Sequence, residues 1–392
     1  MNRIITFSTA LLISVAAGAQ NSIADVLRSV EQNNLELKAN ERQVAAQRAE
    51  DKTDNNLPDP TVSYEHVWQQ KNTSETVGEL TVTQGFDFPT LYAGRNSLNR
   101  KKSDIYNKES DQLRQSILLQ AKEVCLDIIM LHKQQAILDE RMKNALELTE
   151  LYKKRIATGD ANIIDMNKLN LEVLNVKSEA LLNASTLVGK EEELNKLNGG
   201  IDIKLSDYNY VEESLPADFE TLRAEVLPAD PSVAVLNSQY DAAQKAVSVS
   251  KQGWLPQLEV GYRRNNEAGT KLNGAVAGFS IPLFQNRGKV KAAKAQRDNI
   301  GYLRDNALET ADAELRKNYE EALTLRTTIG DYSTTLNSQR DLDLLRQALD
   351  GGQMGFVDYF VEVAFVFQTQ QNFYELENRY QKLLAQIYRN RL

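Results

Sequence analysis

The chain has 392 residues, 42% of them hydrophobic, 26% charged and only 7% aromatic, with a mean hydropathy of −0.47. A bundle of membrane-spanning helices is excluded, because the one long apolar run, Ile4 to Ala19, is 16 residues where a spanning helix needs roughly 20. The net charge of −8, from 46 basic and 54 acidic residues, argues against a nucleic-acid partner, which requires a basic face.

At the N-terminus, Arg3 precedes the apolar run, and Ala17-Gly18-Ala19 forms a small-x-small site before Gln20. This is the pattern of a cleavable secretory signal peptide over residues 1–19. No cysteine follows the apolar run, so lipoprotein anchoring is not expected. The single cysteine, Cys125, permits no intrachain disulfide, and stability rests on packing or oligomerisation.

The mature chain contains an internal repeat. Leu57-Pro58 followed by Val62 and Tyr64 is answered by Leu255-Pro256 followed by Val260 and Tyr262, an offset of 198. Phe88-Pro89 with Gly94-Arg95 answers Ile281-Pro282 with Gly288-Lys289, and Gly159 with Asp165 answers Gly352 with Asp358 at an offset of 193. The common order of these landmarks divides the chain into a first repeat (20–198), a connector (199–230) and a second repeat (231–392).

Each repeat follows one plan. A helix (Ser22 to Asn55, or Pro231 to Trp254) ends at the Leu-Pro. Two segments of strict alternation follow: Thr61 to Gln70 with Glu79 to Phe88, and Gln257 to Asn265 with Lys271 to Ile281. These predict β-hairpins over 61–88 and 257–281. Next come very long helices, Gly94 to Thr158 and Asn286 to Asp350, in windows that lack proline for 126 and 110 residues. Proline costs about 3 kcal/mol inside a helix, so such windows read as helical. Ile117, Ala121, Val124, Ile128, Leu131, Leu138, Met142 and Ala145 keep the spacing of a coiled coil. Glycines stop both helices, and return helices follow at Asp165 to Asn198 and Val357 to Arg391. The fold class is therefore mainly α with a small β part, built from duplicated helix-hairpin-helix units.

Four strands in two hairpins leave two bare edges. In lipid only a closed barrel satisfies every backbone group; four strands cannot close around a lumen, and twelve from three chains can. Tyr64, Trp68, Phe86, Tyr92 and Tyr262 are the aromatic residues available for a membrane-interface girdle. The alternation fits equally a small soluble sheet capping a helical bundle.

The repeat, the Leu-Pro before each hairpin, the segment Phe279-Ser280-Ile281-Pro282-Leu283-Phe284 and the two glycine-to-aspartate tips together resemble the TolC-like outer-membrane efflux protein family. The resemblance implies a homotrimer in the outer membrane of a Gram-negative bacterium, with a 12-stranded β-barrel continuing into a periplasmic α-helical barrel. It implies outer-membrane lipid around the barrel, and partners in a periplasmic adaptor (membrane fusion protein) and an inner-membrane pump of the RND or ABC type. The implied function is passive conduction in a tripartite efflux or type I secretion system. It further implies an acidic entrance, for which Asp358 is the matching residue and Asp165 its counterpart in the first repeat, with Glu362 a further candidate one position beyond the family's second acid. Val361 stands where the family carries a second acid. An aspartate near a helix start also serves as a cap, and that alternative stays open. Adaptor docking falls to the tips, Thr158-Gly159-Asp160-Ala161 and Gly351-Gly352-Gln353-Met354, where the glycines also have a helix-ending use.

No metal-ligand spacing, nucleophile triad or phosphate loop is present, so neither an enzyme nor a cofactor is expected. The rival reading is a soluble periplasmic coiled-coil adaptor or scaffold. An enzymatic site in the connector is disfavoured by its lack of histidine and cysteine.

Overall fold

The computed structural model describes residues 21–69, 72–211, 213–267, 270–338 and 341–392. The expected signal peptide and the hairpin residues 70–71 and 268–269 lie outside them. In chain order the elements are α1 (Ile23–Asn33), α2 (Leu35–Thr53), β1 (Thr61–Gln69), β2 (Asn72–Phe86), α3 (Pro89–Thr158), α4 (Ile163–Leu197), α5 (Phe219–Val226), α6 (Pro231–Gln252), β3 (Gln257–Glu267), β4 (Thr270–Ser280), α7 (Lys289–Ser338), α8 (Asp341–Asp350) and α9 (Phe356–Ile387). The helix–hairpin–long helix–return helix plan is present twice.

Several boundaries differ from expectation for local reasons. The first predicted helix is two, because Asn34 takes a non-helical backbone (φ −55°, ψ 126°) and caps α2 by accepting the Leu37 amide. The long helix α3 starts at Pro89 rather than Gly94, since proline is favoured at a first helical position where its missing N–H goes unused; its 70 residues span about 105 Å at about 1.5 Å per residue. The second long helix is described in two lengths, with residues 339–340 between them outside the described set, and it begins only after Gly288, whose φ of +85° is not helical. Both hairpins end earlier than expected, at Phe86 and Ser280. Strand β2 reaches back to Asn72, where a polar loop was expected, because Thr76 and Val77 pair with Trp68 and Val67. The connector holds α5 and a short 3-10 turn, with no strand among its described residues.

The strands form one antiparallel sheet in the order β1-β2-β3-β4. The two hairpins are joined by β2 and β3 in continuous register from Val77↔Glu267 to Phe86↔Leu258, leaving β1 and β4 as edges.

The chain divides into two compact units, each taking parts of both repeats. One comprises α1, the chain from Gln120 through α4 and the connector to Glu212, and Tyr332–Gln381. Its core gathers Ile137, Leu148, Tyr152, Leu169, Leu349, Phe356, Tyr359, Val363 and Phe367. The heptad residues Ala121, Val124, Ile128, Leu131, Leu138 and Ala145 of this unit are all buried, whereas Met142 is half-buried. The other unit comprises Asn34–Leu119, Glu213–Asp331 and Lys382–Leu392. There the nearly buried Asp51 of α2 accepts from Lys102 Nζ (2.6 Å) and Tyr106 Oη (2.9 Å) of α3, and Asp230 caps α6 through the Ser232 and Val233 amides.

Candidate functional site

Alternation and register sort the sheet side chains onto two faces. One face carries Val62, Tyr64 and Trp68 of β1, Leu80, Val82 and Phe86 of β2, Leu258, Val260 and Tyr262 of β3, and Ala275, Ala277 and Phe279 of β4. The opposite face carries Ser63, Glu65, Glu79, Thr81, Thr83, Glu259, Arg263, Asn265 and Glu267, interspersed with Val67, Val77, Leu272 and Val276. The apolar face is not covered: Tyr64 and Trp68 are each 67% exposed and Phe279 72%. A large uncovered apolar surface marks a contact with lipid or a partner.

Four of the five expected girdle aromatics lie on this face. Tyr64, His66 and Trp68 form a ladder along β1, with ring centroids 6.3 and 5.8 Å apart. Tyr262 donates to Asn273 Oδ1 at 2.7 Å, and Phe86 pairs with Leu258. Tyr92 lies outside the sheet, in the first turn of α3, where its hydroxyl accepts the Asp87 amide at 3.0 Å.

The two tips repeat one backbone motif. At the first, Gly159 has φ +82°, its N–H donates to Ile156 O, and the Asp160 N–H donates to Arg155 O. At the second, Gly352 has φ +70°, donates to Leu349 O, and Gln353 donates to Ala348 O. Both are left-handed C-caps that satisfy the last carbonyls of a helix. The side chains of Thr158 and Asp160 bond each other at 2.7 Å, Ala161 and Met354 pack against the core, and Gly351 and Gln353 are exposed.

The acidic residues occupy different settings. Asn162, not Asp165, is the N-cap of α4, accepting the Ile164 amide at 2.9 Å. Asp165 sits in the first turn, half-buried, 3.9 Å from Lys168 Nζ. Asp358 is in the first turn of α9 and exposed, and its carboxylate lies so near Gly355 that a side chain there would begin 3.0 Å from Oδ2. Glu362 is exposed one turn on, beside an apolar row of Val357, Val361 and Phe365.

Two features escape the sequence reading. On α4, Ile164, Leu171, Leu174, Leu181 and Val188 follow a heptad seam and all are exposed, from 56 to 63%; the 4-3 spacing was visible there and only its solvent-facing side was not. The second is an ion-pair cluster in which Arg141 of α3 donates to both Glu172 oxygens (2.6 and 3.1 Å) and to Glu179 (2.9 Å) of α4. No local signal marks residues so far apart in sequence as partners.

Among the described residues no group of His, Cys, Asp and Glu is placed to hold a metal ion, and no helix is long and apolar enough to cross a membrane. No protein-family model matches the chain, and no curated protein matches its sequence. Solved structures do match in fold. CusC, whose crystal structures concern conformational changes accompanying folding and transmembrane channel formation, aligns with a TM-score of 0.78 at 15% identity over 95% of either chain. The Campylobacter jejuni CmeC outer membrane channel aligns with a TM-score of 0.76 at 14% identity, over 100% of this chain and 93% of that one. The outer membrane protein VceC of Vibrio cholerae gives 0.73 at 15% identity, over 94% and 95%. At these identities the likeness is one of fold, and the fold is that of the TolC-like outer-membrane channels.

Proposed function

We propose that this chain is the outer-membrane channel of a tripartite efflux or type I secretion system, acting as a homotrimer that conducts substrates passively from an inner-membrane pump of the RND or ABC type and its periplasmic adaptor. The observation that carries this reading is the sheet, which is mainly apolar and uncovered on one face, more polar on the other, and open at β1 and β4. An open edge is costly in lipid, and three copies of a four-stranded sheet supply the twelve strands of a closed barrel. The polar face then lines the lumen and the apolar face meets outer-membrane lipid. The exposed seam of α4 gives the helical part a matching surface for a neighbouring copy.

On this reading Asp358 and Glu362, with Asp165 of the first repeat, stand at the channel entrance, and the tips from Thr158 to Ala161 and from Gly351 to Met354 dock the adaptor. The soluble-scaffold alternative leaves the exposed apolar face without an occupant. Three measurements test the proposal. The mature protein is expected in the outer-membrane fraction as a heat-modifiable trimer, and a soluble monomer would refute it. In planar bilayers, Asp358→Ala trimers are expected to lose divalent-cation block; unchanged conductance and block would remove Asp358 from the entrance while leaving the channel intact. A cysteine at Gln353 crosslinks to the adaptor if the second tip is the docking surface.

A further inference from the structure

The apolar face of the sheet does not remain apolar to its hairpin end. Along β3 it runs Leu258, Val260, Tyr262 and then Arg264 and Asn266; along β4 the paired positions run Phe279, Ala277, Ala275 and then Asn273 and Lys271. From Leu258 to Arg264 is about 20 Å at about 3.3 Å per residue, comparable with the roughly 25 Å apolar band of an outer-membrane barrel. The cations thus stand where such a band gives way to headgroups.

At this boundary Gly78 of β2 leaves a gap between its cross-strand neighbours His66 and Asn266. The Tyr64 ring leans over it, with its hydroxyl 2.9 Å from where a side chain on Gly78 would begin. The result is a groove of about 290 Å³ bordered by Tyr64, His66, Leu80, Arg264, Asn266 and Lys271. Every polar side chain of this set can donate a hydrogen bond, and none is a carboxylate. Glu65, Glu79, Glu259 and Glu267 alternate onto the other face, where Arg263 pairs with Glu79 at 2.9 Å. Arg264 and Lys271 form no ion pair among the described residues.

Two cations with no ion-pair partner among the described residues, ringed by neutral donors at the edge of an apolar surface, complement one chemistry: a phosphate that carries acyl chains. We propose that this groove binds the headgroup phosphate of a phosphorylated glycolipid in the outer leaflet. The Arg264 fork takes two phosphate oxygens, Lys271 adds a point charge, and Tyr64 and Asn266 supply neutral donors. The acyl chains lie along the apolar rows toward Leu258 and Phe279, and Asn273 is placed for sugar hydroxyls. The inference rests on the channel reading above: with the helices on the periplasmic side of the barrel, the hairpin ends face the exterior.

The test uses full-length protein in phosphatidylcholine nanodiscs doped with diphosphoryl lipid A or with the same lipid freed of phosphate, and reads co-purifying lipid by native mass spectrometry. Wild type is expected to enrich the phosphorylated form about tenfold, equivalent to about 1.4 kcal/mol. Arg264→Gln with Lys271→Gln abolishes the preference, Arg264→Lys keeps most of it, and Arg263→Gln, on the opposite face, leaves it unchanged. Retention of the preference by the double variant, or its equal loss in Arg263→Gln, overturns the site. Displacement of the lipid by excess inorganic phosphate overturns its assignment to lipid. If wild type fails to enter nanodiscs, the membrane reading falls and this one with it; if it enters but shows no preference, only this inference falls.

Discussion

His132 and Cys125 illustrate what single residues do in a helix this long. The His132 ring stacks on Tyr208 of the connector at 3.7 Å, and its Nε2 is buried with no hydrogen-bond partner among the described residues. Burial holds its pKa below the ordinary value, against a smaller opposing effect of Glu191. Unfolded, the imidazole takes up a proton near pH 6.5; folded, it does so only at lower pH. The unfolded chain therefore binds more protons in that window, and the contribution of His132 to stability is full above about pH 6.5 and lost as pH falls through the folded value. Thermal unfolding at pH 7.5 and 5.5 should show a smaller acid loss for His132→Phe than for wild type; equal losses would exclude His132 as a source. Cys125 is fully buried, and burial raises its thiol pKa to about 12. It should resist iodoacetamide at pH 8 in the native protein and react once the chain is unfolded in urea, read by mass spectrometry. The heptad register of α3 in the sequence already assigns both to the coiled-coil helix. The partner of His132 was not legible there, because Tyr208 lies in a segment with neither strand nor helix.

Helix ends and helix pairs show how far local rules reach. Gly159 and Gly352 are readable as stop signals, since a left-handed residue without a Cβ is the least costly way to end a helix. Replacing Gly159 with alanine should cost about 1 kcal/mol and speed amide exchange at the last turn of α3 and the first of α4; unchanged exchange would contradict a backbone role. Aspartate near a helix start was one reading of Asp165, but the cap is Asn162, three residues earlier, at the position where a side chain reaches the free amides. The Arg141–Glu172–Glu179 cluster joins α3 and α4 with both Arg141 and Glu172 mostly buried. Arg141→Met leaves Glu172 without its partner and should destabilise by about 3 kcal/mol in chemical denaturation. Arg141→Met with Glu172→Leu should recover most of that loss; a double variant no better than the single one would show that the pair is not what the substitution broke.

Over the whole molecule, a long helix with a second apolar seam requires another surface to cover it. The α4 seam predicts that Leu174→Glu with Leu181→Glu keeps the far-ultraviolet helix signal and shifts sedimentation from trimer to monomer; a variant that still sediments as a trimer would place the interface elsewhere. The repeat, the four strands and the long helices were determined by the sequence alone, because proline exclusion, two-residue alternation and glycine stops act within a few residues. Only the tertiary structure decided that β2 pairs with β3, that the α4 seam faces outward within the chain, and that Arg264 and Lys271 border one groove beside the gap at Gly78 on the apolar face while Arg263 turns to Glu79 on the other. Those outcomes depend on backbone hydrogen bonds and side-chain contacts between residues far apart along the chain, such as Val77 with Glu267, and no local preference encodes them.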